Sequence, residues 1–303
     1  MLSRIQHAAI VSENFVREAK FYEAVLGMKR SRPGSAEEEK AIRTNYAVSI
    51  SDGYVGVTVI GRKPGYVPGL HHFGVDVDDV DEAIRRIKKN YPDVAVLKRP
   101  SNRPFATYGA HDPEGNYFDL TQEGMSNRRD VYAVRPGSPQ AGQSSSPQAV
   151  PPGSPQAVRP GSPQFEQPRR IHHIKLRVMN PANIAAFYRD SFDLKEAEKA
   201  LEDPNFYLTD GKVTLIIAPW KMSDFEGAGI DRPGIEHIGF KVENVEAFKK
   251  DLAALRESNP EMRERIVSEP SEGERRVALI ATCRHGQHQF SSPDGVFVDI
   301  SEK

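Results

Sequence analysis

The sequence predicts an α+β protein of two similar domains, each built from paired strand-helix-three-strand modules whose mixed sheet curves to enclose a cleft. Three observations predict it. A strand, cap and helix opening occurs once in each half of the chain, a smaller copy of it lies inside each half, and a stretch too poor in large apolar residues to form a core separates them.

The first opening is IQHAAIVSENFVREAKFYEAVLGM from Ile5. Asn14 is placed to cap a helix on which Phe15, Ala19, Tyr22 and Leu26 share one side, and Gly27 stops it. Strand candidates follow in NYAVSISD and YVGVTVIG. The internal copy, GLHHFGVDVDDVDEAIRRIKKNY, sets Asp79 and Glu82 at capping-box spacing and turns Ala83, Ile84 and Ile87 inward. Its strands are VAVLKRP, FATYGAHD and NYFDLTQE. The unit AV-x-PGSPQ then begins at Ala133, Ala149 and Ala157; proline, glycine, serine and glutamine there cannot offset ordering entropy, so a disordered linker is expected. The resulting division is domain 1 over 1–130, linker over 131–169 and domain 2 over 170–303.

The second half repeats the scheme. IHHIKLRVMNPANIAAFYRDSFDL opens it, with Asn180 as cap and Pro181 already at helical φ. GIEHIGFKVENVEAFKKDLAAL follows, with Asn244 as cap and Val245, Phe248, Leu252 and Leu255 inward. NFYLTDG, KVTLIIAPW, RVALIATC, HGQHQFSS and VFVDIS are its further strands. The aromatic pairs Phe21-Tyr22 and Phe187-Tyr188, together with Trp220, are expected to fill the cores.

Composition narrows the function. Lysine plus arginine number 41 against 42 acidic residues, a net charge of -1, which supplies no positive field for nucleic acid or an anionic membrane. No apolar run is long enough to span a bilayer. The single cysteine, Cys283, forms no intramolecular disulfide and is read as a small buried residue; with charge interrupting the amino-terminal segment, a reducing, cytoplasmic setting is expected. The turns at Pro113-Gly115 and Pro293-Gly295 are not phosphate-binding loops.

The chemistry sits in a recurring triad: His7, His72 and Asp119, then His173, His237 and Asp299, with near-equal spacing between the histidines. Two strand-borne imidazoles and a carboxylate give three fixed donors and leave positions open on a divalent ion. Strand alternation puts Tyr117, Asp119 and Thr121 on one face and Phe118 and Leu120 on the other, and an unpaired carboxylate on a cavity wall would be costly without a cation. The blander alternative makes each histidine a buried hydrogen-bonding group. Their joint recurrence favours metal, more strongly in the first half than in the second.

These motifs resemble the vicinal oxygen chelate superfamily, which includes glyoxalase-like proteins, bleomycin-resistance proteins and extradiol dioxygenases. The resemblance rests on AKFYEAVLGM, HHFGVDVDDVDEA and HDPEGNYFDL in the first half and on HIKLRV, AAFYRDSFDL, HIGFKVENVEAF and SPDGVFVDI in the second. It implies paired βαβββ modules around a cleft, with the six triad residues as metal ligands. Glyoxalase-like sites often add a glutamate where this chain has Thr58, and Thr214 or Leu215 in the second half, and they commonly use glutamate where it has aspartate. A three-ligand site follows, as in non-heme iron oxygenases.

The expected activity is therefore a metal-dependent dioxygenase acting on a small chelating, catechol-like substrate, with Fe²⁺ favoured and Mn²⁺, Zn²⁺ or Ni²⁺ as alternatives. Tyr108 and His111 are the candidate catalytic hydrogen-bonding or proton-transfer residues. The rival readings are a glyoxalase-like lyase or isomerase, with His111 or Glu114 as base, and a non-catalytic small-molecule-binding protein. His71 and His172 should alternate to the opposite strand face from their neighbours, and His285 and His288 lack metal-site spacing. Related families assemble modules across subunits, so a homodimer is expected, and the spacer permits pairing within or between chains.

Overall fold

The computed structural model describes residues 1–30, 33–100, 107–122, 167–223, 233–264 and 286–302. In the first half β1 (Ser3–Ser12) leads into α1 (Phe15–Leu26), β2 (Lys29–Arg30), a short α2 (Ala36–Lys40) with a π-helical turn (Ala41–Asn45), β3 (Ala47–Ser51) and β4 (Gly56–Gly61). The second module is β5 (Gly69–Val77), α3 (Val80–Asn90), β6 (Val96–Lys98), β7 (Tyr108–His111) and β8 (Tyr117–Gln122). The order is thus βαβββ twice, with α2 and the π-turn as an insertion for which the sequence had no periodic signal.

The second half runs β9 (Arg170–Val178), α4 (Pro181–Phe192), β10 (Lys195–Glu196), β11 (Phe206–Thr209), β12 (Thr214–Pro219), β13 (Gly234–Val242), α5 (Val245–Ser258), β14 (His288–Ser291) and β15 (Phe297–Glu302). The expected strand RVALIATC, with Cys283 and His285, and residues 131–166 of the expected linker lie outside the described residues. No helix among the described residues is long and apolar enough to cross a membrane.

Each half is one mixed sheet, ordered β2-β3-β4-β1-β5-β8-β7-β6 and β10-β11-β12-β9-β13-β15-β14. The first strands of the two modules meet antiparallel at the centre, β1 with β5 and β9 with β13, and each is flanked by a parallel partner. The sites therefore stand on central strands, whose backbone is paired on both edges.

The helix ends obey the local chemistry. Asn14 accepts from Arg17 N at 3.1 Å, Asp79 from Glu82 N at 3.0 Å, Asn180 from Asn183 N at 3.1 Å and Asn244 from Ala247 N at 2.8 Å. Gly27 closes α1 at φ 69°, a left-handed geometry cheapest for glycine. The same end of α4 is closed by Asp193 at φ 52°.

The halves pack on each other within one chain, around a continuous core. Phe21 meets Phe290, Tyr22 meets Phe240, Phe73 meets Tyr188 and Phe118 meets Phe187, with ring centroids 5.6–6.3 Å apart. Each aromatic pair thus joins residues of opposite halves, and each buried ring contributes on the order of 1.5–3 kcal/mol relative to exposure. Trp220 is only half-buried at the end of β12, so it serves as an edge rather than as the core filler that its size suggested.

Polar contacts repeat the exchange. Asp52, in the β3–β4 turn, accepts from Ile171 N at the start of β9, while Asp210, in the β11–β12 turn, accepts from Ile5 N in β1, both at 2.8 Å. Glu114 accepts from Met179 N at 2.5 Å and Asn180 N at 2.6 Å, ahead of α4. Asp294 accepts from Ser12 Oγ and Asn14 N ahead of α1 and pairs with Arg17. Glu114, a candidate base from sequence, thus holds a helix entrance of the other half.

Candidate metal centres

Strand register assembles each triad. His7 on β1 lies beside Gly74 on β5, and Gly74 lies beside Asp119 on β8. The three form one cross-strand row, with His72 two residues before Gly74 on the same face of the middle strand. The second half repeats the row as His173, Gly239 and Asp299, with His237 two residues before the glycine. A methyl group on Gly74 would collide with the His7 ring, and one on Gly239 with the His173 ring. The glycine is what allows an imidazole to lie across the middle strand. Sequence reasoning missed it, although the signal, histidine two residues before glycine, stands in both motifs.

In the first centre His7 Nε2 and His72 Nε2 lie 3.5 and 3.4 Å from Asp119 Oδ2. In the second, His173 Nε2 lies 3.1 Å from His237 Nε2 and 3.5 Å from Asp299 Oδ2, and His237 Nε2 lies 3.9 Å from that oxygen. Donors about 2.0–2.2 Å from one ion at angles near 90–110° stand roughly 3.0–3.5 Å apart, so both groups fit, the first more tightly at its carboxylate. All six residues are buried.

The outer ring nitrogens reinforce the fit. His7 Nδ1 is 3.1 Å from Gln6 Oε1, His72 Nδ1 2.7 Å from His71 Nδ1, His173 Nδ1 3.1 Å from His172 Nδ1 and His237 Nδ1 3.0 Å from Glu236 Oε2. Gln6 and Glu236 set an acceptor oxygen beside Nδ1 of His7 and His237, which favours the proton on Nδ1 and turns the Nε2 lone pair inward. His72 and His173 each meet a second imidazole, whose tautomer sets the direction of the bond. Two lone pairs and a carboxylate oxygen then converge, and a cation or proton must stand between them. Asp299 Oδ2 is buried without a hydrogen bond of its own.

Titration follows the same geometry. Burial would raise Asp119, but the charges and hydrogen bonds of His72 and His7 outweigh it and hold the carboxyl well below the usual range. Asp299 is lowered likewise, with His173 and His237 overcoming burial. Burial lowers the pKa of His7 despite the opposing pull of Asp119.

The expectation that His71 and His172 point away from their neighbours is overturned. The pairing of β5 with β1 shifts register between His72 and Leu70, and that of β9 with β13 between His173 and Ile171; each irregularity admits an extra residue. Such a bulge breaks strict alternation and lets adjacent rings touch. Glu236 occupies the corresponding irregularity ahead of His237. It is buried between Lys175, 3.1 Å away, and Arg177, and although burial opposes ionisation, His237 and the two cations keep it well below its ordinary value.

The remaining sequence candidates divide. Tyr108 pairs with Leu120 and packs against the core, on the face away from Asp119; the period-two argument that placed Asp119 also excludes Tyr108 from the site. His111 is exposed at the rim, its ring 5.1 Å from that of Tyr117. His288 pairs with Ile300 and meets Phe248 and Phe290, away from Asp299, and burial lowers its pKa. Thr58 lies in β4 opposite Ala9 and belongs to neither triad. Tyr117, which alternation sets on the face of Asp119 but which was given no role, has its ring 5.0 Å from that of His72 and 6.0 Å from that of His71.

A cavity of about 590 Å³ lies between the halves, lined by Tyr66, His71, Asn116, Arg177, Glu236 and Phe297 among others. No triad side chain lines it. It reaches each centre through one residue, His71 behind His72 and Glu236 behind His237.

Duplicated βαβββ sheets, each carrying two histidines and an aspartate on its central strands, define a protein with two candidate metal centres. Residues 4–120 and 170–300 match the Glyoxalase/Bleomycin resistance protein/Dioxygenase superfamily, and the chain belongs to it. Among solved structures it is similar to a Mn(II)-bound glyoxalase from Novosphingobium aromaticivorans, at 16% identity and TM-score 0.54, covering 99% of this chain and 83% of that one. It is similar to homoprotocatechuate 2,3-dioxygenase from Arthrobacter globiformis, at 13% identity and TM-score 0.56, covering 99% and 79%. It also resembles 2,2',3-trihydroxybiphenyl 1,2-dioxygenase from Sphingomonas wittichii strain RW1, at 12% identity and TM-score 0.56, covering 100% and 91%. Comparison with curated proteins gives no match. At these identities the likeness is one of fold.

Proposed function

We propose that the chain is a metal-dependent non-heme dioxygenase whose first centre, His7, His72 and Asp119, acts on a small, chelating, catechol-like substrate. The observation that carries this is the convergence of three metal-ligating groups from three strands with a polar partner behind each imidazole. A divalent ion, Fe²⁺ by preference, would supply a Lewis-acidic and redox-active centre with positions left for a diol and dioxygen. In this reading the first sheet curves around the triad as the substrate cleft, residues 131–169 are a spacer, and a reducing compartment keeps iron ferrous.

The protein's own groups orient and exchange protons. His7 and His72 are fixed by Gln6 and His71, so their Nε2 atoms do not need to reorganise when a ligand enters. Tyr117 forms a wall beside His72, and in this reading His111, whose ring lies 5.1 Å from that of Tyr117, is the group that accepts a proton from a substrate hydroxyl. Tyr108, on the core side, has no part in proton transfer. The similarity to two aromatic dioxygenases supports this reading, whereas similarity to a Mn(II)-bound glyoxalase favours the second, an oxygen-independent lyase or isomerase using the same ligands.

Anaerobic loading with Fe²⁺, followed by oxygen-uptake measurements across substituted catechols, tests the first reading. Oxygen consumption matched to loss of catechol is the expected result. A fully iron-loaded protein that consumes none overturns it, and turnover without oxygen transfers the centre to the lyase reading.

A further inference from the structure

Arg99, just past β6, lies against the carboxylate of the first centre. Its Nη2 is 2.7 Å from Asp119 Oδ1 and its Nη1 3.4 Å from Oδ2, and its guanidinium stacks 5.3 Å from the Tyr117 ring centroid. The slot is built for it. Gly109 faces Asp119 across the β7–β8 pair, and a methyl group there would lie 2.5 Å from Tyr117 Oη and 3.1 Å from Arg99 Nε. The missing side chain lets the arginine reach the aspartate across β7, the strand that separates β6 from β8.

In the second half the residue facing the ligand carboxylate is Gln289, whose neutral amide donates to Asp299 Oδ1 at 2.8 Å. Both halves thus engage Oδ1 and turn Oδ2 to the imidazoles, but the described partners differ by a full positive charge. The Lys175–Glu236–Arg177 cluster of the second half sits behind His237, against its Nδ1, and not on the ligand carboxylate.

At the first centre Arg99 neutralises Asp119, so a dication there keeps its whole charge of two. That surplus weakens the hold on the cation and strengthens the hold on an incoming anion. The Arg99 side chain is 22% exposed, so the charge stands at the rim of an otherwise buried site. We propose that Arg99 makes the first centre selective for anionic ligands that chelate through two oxygens, at the expense of metal affinity. This rests on the metal-centre reading above and adds the charge of the ligand it takes.

The test uses the full chain carrying Asp299→Asn, so that only the first centre is titrated, with and without Arg99→Gln or Arg99→Lys. Free Mn²⁺ is followed by its electron paramagnetic resonance signal, and the loaded protein is then titrated with oxalate, a two-oxygen dianion, and with imidazole, a neutral ligand. Arg99→Gln should bind Mn²⁺ about tenfold more tightly and oxalate about tenfold more weakly, the size expected of one partly screened charge, with imidazole within about twofold. Arg99→Lys, which keeps the charge, should hold oxalate within about threefold. Unchanged oxalate affinity in Arg99→Gln overturns the proposal, as does equal weakening of imidazole and oxalate, or failure of Arg99→Lys to retain oxalate. If the Arg99-containing chain takes up no Mn²⁺ at all, the metal centre itself falls, and this inference with it.

Discussion

Behind His72 stands another imidazole, His71; behind His237 stands a carboxylate, Glu236, fixed by Lys175 and Arg177. His72 keeps 9% of its side chain exposed and His237 none. Gly286 lies directly over the Asp299 carboxylate, where a methyl group would collide with it. The row of histidine, glycine and aspartate is common to both halves because strand register and lack of space fix it. What surrounds the row is free to differ. A duplicated backbone thus carries two similar donor sets whose described surroundings differ: an imidazole and Arg99 at the first, a buried carboxylate and Gln289 at the second.

The strongest test of that difference removes one carboxylate at a time. Asp119→Asn should lower turnover by more than about 100-fold, while Asp299→Asn leaves it within roughly threefold; each should remove one metal equivalent, read by elemental analysis of the loaded protein. Equal losses of turnover would make the two centres functionally alike. The glycines come next. Gly74→Ala should empty only the first centre and Gly239→Ala only the second, each with an overpacking cost of about 1–3 kcal/mol in denaturant unfolding.

The outer carboxylate gives a smaller effect. Glu236→Gln should weaken metal binding at the second centre by about 10- to 100-fold and leave the first unchanged, as measured by competition with a chromophoric chelator.

The smallest effect concerns the joint between the halves. Glu18 is buried in α1 at the place where α4 has Ile184, and burial pushes its carboxyl up from 4.5 to about 8. Folded protein therefore keeps a proton that the unfolded chain releases near pH 4.5, and stability falls as pH rises from there to about 8. Glu18→Gln should flatten this slope, raising Tm by roughly 5 °C at pH 8 with little change at pH 5. A parallel pH profile in both proteins would place the titrating group elsewhere.

Much of this was legible in the sequence. Asn14, Asp79, Asn180 and Asn244 act on amides three residues away, and the triads recur at fixed places, so local chemistry and repetition revealed both. The irregularities at His71, His172 and Glu236 were not legible, because a bulge depends on the partner strand, and a strict period of two sent His71 and His172 to the wrong face. Tyr108 failed as a site residue for the opposite reason: proximity in sequence to Asp119 was allowed to outweigh the alternation that separates them. Arg99 and Gly109 lie in unremarkable surroundings, and only the folding of β6, β7 and β8 side by side brings them to Asp119.

The exchanged aspartates, Asp52 on Ile171 and Asp210 on Ile5, bind the halves in a way that does not depend on the chain between them. Either half produced alone would leave one strand amide, Ile5 N or Ile171 N, and the aromatic face of α1 or α4 facing water, and would be poorly soluble. A protease cutting once between Gln122 and Gln167 should instead leave fragments that migrate as one particle. The gene could accordingly be split there and its two products, made together, would reconstitute the whole.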